Sequence, residues 1–159
     1  MQRLRQTIAA LIVAAGFAAP AAAQDFSLTP TFGSVNLTSG FTPDPFQVPI
    51  QAGGSIDVSK SHPGCTGFVA GPPDYQLFFQ GGQAGLPLII SVAANTDTTL
   101  VVNTPNGTWL CDDDSGEGAL NPQLRLNTPE SGRYDIWVGT YAAGATQGSV
   151  LNVSEVRSQ

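Results

Sequence analysis

The chain has 159 residues, with six Lys and Arg against twelve Asp and Glu, a formal net charge of −6, and only 11% charged residues against 42% hydrophobic ones. A surface of this sign repels nucleic acid and anionic lipid, and leaves divalent cations, cationic partners or simple solubility as its electrostatic uses. The length suits one domain with a real core and is short for two.

The first 23 residues read as an export signal. Arg3 and Arg5 form a positive start, Ile8 to Ala19 an apolar centre, and Ala21-Ala22-Ala23 a small-residue cleavage site. The apolar run of about a dozen residues falls short of the roughly 20 that span a bilayer, so cleavage after Ala23 is expected rather than anchoring. No later stretch is long enough to span, and no Cys stands at the junction for lipid attachment. The expected product begins at Gln24 and resides in the periplasm or outside the cell. It keeps Lys60, Arg125, Arg133 and Arg157 against all twelve acids, four against twelve, a balance of −8.

Residues 24–45 are rich in Thr, Ser, Pro and Gly and read as an extended lead with a first edge strand around Val35 and Leu37. Phe41-Thr42-Pro43-Asp44-Pro45 cannot be helix, because each Pro lacks an N–H and disfavours the α region for the residue before it; a rigid turn is expected. From residue 46 to 159 one β-domain is expected. Its alternating segments are Phe46 to Ile50, Ser55 to Ser59, Tyr75 to Phe79, Leu86 to Ala93, Thr99 to Asn103, Thr108 to Cys111, Gln123 to Leu126, Tyr134 to Val138 and Ser149 to Val153. Turn residues separate them, among them Gly53-Gly54, Pro72-Pro73-Asp74, Gly81-Gly82 and Asn106-Gly107. No window of the mature chain keeps a helical apolar period and no internal repeat stands out. The fold class expected is all-β, a jelly-roll-like antiparallel β-sandwich of about eight or nine strands. Alternation places Leu88, Ile90 and Val92 on one face of their strand, and Tyr134, Ile136 and Val138 on one face of theirs, with Asp135 and Trp137 opposite. Residues 141–148, small and uncharged, read as a mobile loop.

Cys65 and Cys111 are an even pair in an oxidising compartment, without a C-x-x-C motif, and read as a structural disulfide. Closing a loop of about 46 residues is worth about 4 kcal/mol in the chain-entropy model.

Four chemistries are worth weighing. Asp114-Ser115-Gly116 resembles the core of a serine-protease nucleophile, but Asp113 and Glu117 stand where glycines belong, and the only histidine, His62, sits in a turn-like Ser-His-Pro-Gly-Cys setting that reads as an exposed loop. No catalytic residue is therefore assigned. A glycosidase needs two carboxylates facing across a cleft, and nothing in the spacing of the twelve acids selects a pair. The acidic run Asp112-Asp113-Asp114, with Glu117, is costly unless solvated or neutralised, and Asp112, Asp114 and Glu117, joined by Asp97 if the strands bring it near, make a candidate Ca²⁺ loop of hard oxygen ligands. The competing reading is a solvated acidic turn. Finally, Trp109, Trp137, Tyr75, Tyr134 and Tyr141 could form a binding face if exposed, although aromatics at strand spacing are more often core. The three N-x-S/T sequons at Asn36, Asn106 and Asn152 are not expected to carry glycans, since the signal and composition look bacterial.

Pro73 to Leu77, Asp97 to Asn103, Pro105 to Trp109, Cys111 to Asp114, Asn121-Pro122 and Ser131 to Tyr141 together resemble the bacterial pre-peptidase C-terminal (PPC) domain family. The Phe41 to Pro45 tract adds a likeness to small exported proteins of Gram-negative bacteria. The resemblance implies a jelly-roll-like sandwich acting as a non-catalytic appendage for secretion, localisation or substrate binding, in some members with Ca²⁺ in acidic loops. No catalytic domain is expected within these 159 residues. The function expected is an exported, non-catalytic binding or structural module, Ca²⁺-stabilised on one reading, whose ligand is a protein or a polysaccharide and not nucleic acid. The alternative is a secreted hydrolase or an accessory subunit of one.

Overall fold

In the computed structural model of the chain, residues 23–82, 85–118, 120–144 and 146–159 are described. The expected export signal lies outside them apart from Ala23. Among the described residues eleven strands form two sheets, and the helical content is one 3-10 turn. The strands are β1 (Ser34–Thr38), β2 (Phe46–Ala52), β3 (Ile56–Asp57), β4 (Phe68–Val69), β5 (Tyr75–Gln80), β6 (Leu88–Ala94), β7 (Thr98–Asn103), β8 (Trp109–Asp112), β9 (Gln123–Leu126), β10 (Gly132–Thr140) and β11 (Gln147–Ser154). No helix of the described residues is long and apolar enough to cross a membrane.

The seven-stranded sheet is built on β10. Its first half pairs with β5 and its second half with β7, Asp135 facing Gln76 on one side and Asn103 on the other. β1 continues beyond β5, β8 continues beyond β7, and β4 and β3 extend the sheet past the end of β5, starting from Thr140. The four-stranded sheet runs β2-β11-β6-β9, all antiparallel.

The all-β sandwich expected from the alternation is what the chain forms. Leu88, Ile90 and Val92 of β6 meet Tyr134, Ile136 and Val138 of β10 in one buried cluster, with Leu77, Leu100, Val102, Leu151 and Val153. Each large side chain buried here contributes about 1.5–3 kcal/mol. Burial also pushes the Tyr134 hydroxyl up to about 12, and that hydroxyl donates to the Glu130 carbonyl at 2.8 Å.

Four details differ from the sequence reading. Eleven strands are found among the described residues, one of them at Phe68-Val69, which is too short to show a period. The edge strand at Val35 and Leu37 exists, but it pairs parallel with β5, the one parallel pair among the described residues. The run Ser55 to Ser59 breaks into β3 and a 3-10 turn at Val58–Lys60, since the Asp57 side chain accepts from the Ser59 N–H and hydroxyl and so competes with the ladder. The stretch read as a loop over 141–148 ends earlier, with β11 beginning at Gln147.

A second, smaller core lies on the outer face of the seven-stranded sheet. Val58, Cys65 and Val69 pack there on Val101 and Trp137, with Ile56, Trp109 and Cys111 at its margin. Cys65 and Cys111 are disulfide-bonded, their Cα atoms 5.5 Å apart, which staples the segment between β3 and β4 onto β8. The same apron explains a glycine: a Cβ on Gly54 would lie 2.0 Å from the Val69 carbonyl carbon.

Residues 24–33 run alongside this apron. Asp25 N–H donates to the Gly71 carbonyl, and Thr31 and Phe32 N–H donate to the carbonyls of Pro73 and Asp74. The Phe41–Pro45 tract is a tight turn with two cis X-Pro bonds. Two carboxylates latch it to the chain end: Asp44 accepts from the Ser154 hydroxyl and Glu155 N–H, while Glu155 accepts from the Ser39 hydroxyl and Gly40 N–H.

Candidate functional site

The acidic loop follows β8. Asp112 does not point to an open site: its carboxylate accepts the N–H and hydroxyl of Ser115 at 2.9 and 2.6 Å and the N–H of Gln123 at 2.9 Å. This Asx-type turn folds the loop back onto β9. Asp113 accepts from the Thr66 hydroxyl at 3.1 Å, joining the loop to the apron. Asp114 is exposed, and its charge and that of Asp113 reach Asp97, whose carboxyl is raised first by burial and then by these two neighbours. Asp97 Oδ1 is a buried atom without a hydrogen-bond partner. Glu117 is exposed, with its N–H donating to the Ser158 hydroxyl at 3.3 Å. Asp97 and Asp114 therefore share one neighbourhood, Asp112 shapes the loop, and no three His, Cys, Asp or Glu side chains converge tightly enough to hold a metal among the described residues.

The protease-like pieces have other partners. The Ser115 hydroxyl donates to Asp112, while His62 stacks on Trp109 with ring centroids 4.0 Å apart. His62 is thus partly buried rather than exposed, and burial lowers its pKa.

The most extensive chemistry lies on the outer face of the seven-stranded sheet. Strand alternation turns Tyr75, Leu77 and Phe79 into the core, which leaves Gln76 and Phe78 outside; on β10 it leaves Arg133, Asp135 and Trp137 outside. Asp135, 1% exposed, accepts from Gln76 Nε2 at 2.8 Å and from Arg133 Nε at 3.0 Å. Burial raises the Asp135 carboxyl, and these two donors oppose the shift. The Arg133 guanidinium, 40% exposed, also lies 5.8 Å over the Phe26 ring.

From Arg133 an aromatic row continues across the sheet. Phe26 tilts against Trp109 at 6.5 Å, and Trp109 against Trp137 at 5.2 Å. Trp137 is fully buried in the apron core, its indole N–H donating to the Gly71 carbonyl at 3.3 Å, while Trp109 is partly exposed. Two depressions meet on this face. One, of about 580 Å³, is bordered by Phe26, Asn103, Pro105 and Asp135; the other, of about 470 Å³, by Asn36, Thr38 and Gln80; Phe78, Gly132 and Arg133 line both. The two adjoin at these shared residues as an open track bordered by β1, β5, β10 and the end of β7. A further depression of about 510 Å³ on the other sheet, around Pro49 and Val150, is lined by no ionisable side chain.

Of the aromatics singled out from sequence, Tyr75, Tyr134 and Trp137 are buried, Trp109 is partly exposed and Tyr141 is 51% exposed. Phe26 and Phe78, 45% and 38% exposed, were missed. The signal for Phe78 was present, since it alternates against Leu77; Phe26 gave none, because a residue outside any strand has no period.

No protein-family model and no curated protein matches the chain.

Proposed function

We propose that the chain is exported with cleavage after Ala23 and works as a non-catalytic β-sandwich module that binds an extended, uncharged polysaccharide along the outer face of the seven-stranded sheet. The observation that carries this is the pair of depressions sharing Phe78, Gly132 and Arg133. An open track of this form suits a chain-like ligand better than a small molecule, which needs enclosure. Exposed aromatic rings offer flat apolar faces to sugar rings, and Arg133, oriented by Asp135, offers guanidinium donors to hydroxyls. The resemblance to PPC domains supports a non-catalytic binding role, and the acidic balance of the mature chain disfavours polyanions.

A stabilising Ca²⁺ belongs to the same proposal. The unpartnered, buried Asp97 Oδ1 beside Asp114 is an oxygen that a hard cation would satisfy, with backbone carbonyls and water as further donors. Asp112 serves the loop's shape instead.

Retention of the mature chain on cellulose, starch and xylan tests the binding role. Binding to at least one, weakened about tenfold (about 1.4 kcal/mol) by Phe78→Ala and by Arg133→Ala, is expected. Retention unaffected by both substitutions overturns this placement of the site.

A further inference from the structure

Gln24 is the residue the expected cleavage would leave first, and its side chain is buried, 8% exposed, although Ala23 before it is exposed. Within that burial its two polar atoms fare differently. Oε1 accepts the Ser61 hydroxyl at 2.9 Å, whereas Nε2 is buried with no hydrogen-bond partner. An orphaned buried amide donor is unfavourable in a folded protein.

We infer that the mature N-terminus is a modification site, at which Gln24 closes on itself to a pyroglutamyl lactam. This rests on the cleavage after Ala23 proposed above. The freed α-amino nitrogen attacks the side-chain carbonyl carbon Cδ, a new N–Cδ bond forms, and the Cδ–Nε2 bond breaks. Nε2 leaves as ammonia, taking up a proton lost by the α-nitrogen. The step is an exchange of one amide for another, with no change of oxidation state and no co-reactant. It removes the one side-chain atom that has no partner and keeps the carbonyl oxygen that Ser61 engages.

The strand of chain that follows gives the modification a setting. Asp25 is held to Gly71, and Phe26 further on contributes a ring to the outer face, so the lactam would seal the start of the segment that carries part of the proposed binding track.

The test is intact-mass and N-terminal peptide analysis of the full-length chain expressed with its own leader and recovered from the periplasm. The expected species begins at residue 24, lacks one ammonia relative to the encoded sequence and has no reactive α-amine. Gln24→Asn, whose shorter side chain cannot close the five-membered ring, should keep a free amine while remaining folded. A chain that begins at Gln24 with its amine free overturns the modification and leaves the export reading intact. A chain that begins elsewhere overturns both.

Discussion

The Asp74 carboxylate accepts the backbone N–H of Val138 at 2.7 Å, tying the turn before β5 to the middle of β10. Asp74 is 2% exposed, and burial pushes its carboxyl from 3.8 up to about 7, with the Val138 hydrogen bond opposing the shift. The folded pKa lies above the unfolded one, so the fold favours the neutral carboxyl. Its contribution is complete below about pH 4 and is lost as the pH rises to about 7, at most about 4 kcal/mol across that window. Denaturation midpoints should therefore fall between about pH 4 and about pH 7, and Asp74→Asn, which stays neutral, should flatten the fall. An identical pH slope in the variant would contradict the assignment.

The disulfide is the second lever on stability. Cys65–Cys111 closes a separation of 46 residues and holds the apron over Trp137. Replacing both cysteines with Ala should cost about 2–5 kcal/mol in chemical denaturation. An unchanged midpoint would show that the apron holds itself.

Backbone contact between Gly54 and Val69 predicts a sharp contrast between glycines. Gly54→Ala should destabilise by roughly 3 kcal/mol or prevent folding, because the clash is with backbone that cannot swing aside. Gly144→Ala meets nothing within 4 Å and should stay within about 0.5 kcal/mol of the parent. Equal melting temperatures for the two variants would contradict the packing described.

For the acidic loop, Ca²⁺ at about a hundred times its dissociation constant should stabilise the fold by about 2.7 kcal/mol. Asp97→Asn with Asp114→Asn should abolish that gain. Asp112→Ala should lower stability with or without Ca²⁺, since it removes acceptors for Ser115 and Gln123. Melting curves indifferent to Ca²⁺ and to chelator would remove the cation from the account.

Much of the sandwich was legible because β-strands print their burial as a period of two. Leu88, Ile90 and Val92, and Tyr134, Ile136 and Val138, could be assigned to one core from that period alone. The cysteine pairing followed from parity and the expected compartment. What stayed illegible was set by tertiary placement. Asp112 reads as a candidate ligand in sequence; that its oxygens accept from Ser115 and from Gln123 is visible only once the loop folds back. The outer face was overlooked because its residues come from three separated stretches, Phe26, Phe78 and Arg133, and only the sheet brings them together.

The central claim is that this face binds the ligand, and the most direct measurement is a nuclear magnetic resonance titration of the isotope-labelled mature chain with cellulose, starch and xylan fragments. The account predicts saturable shifts centred on Phe78, Gly132 and Arg133 and extending to Phe26. Shifts centred instead around Pro49 and Val150 on the other sheet, or no shift with any of the three, would contradict it.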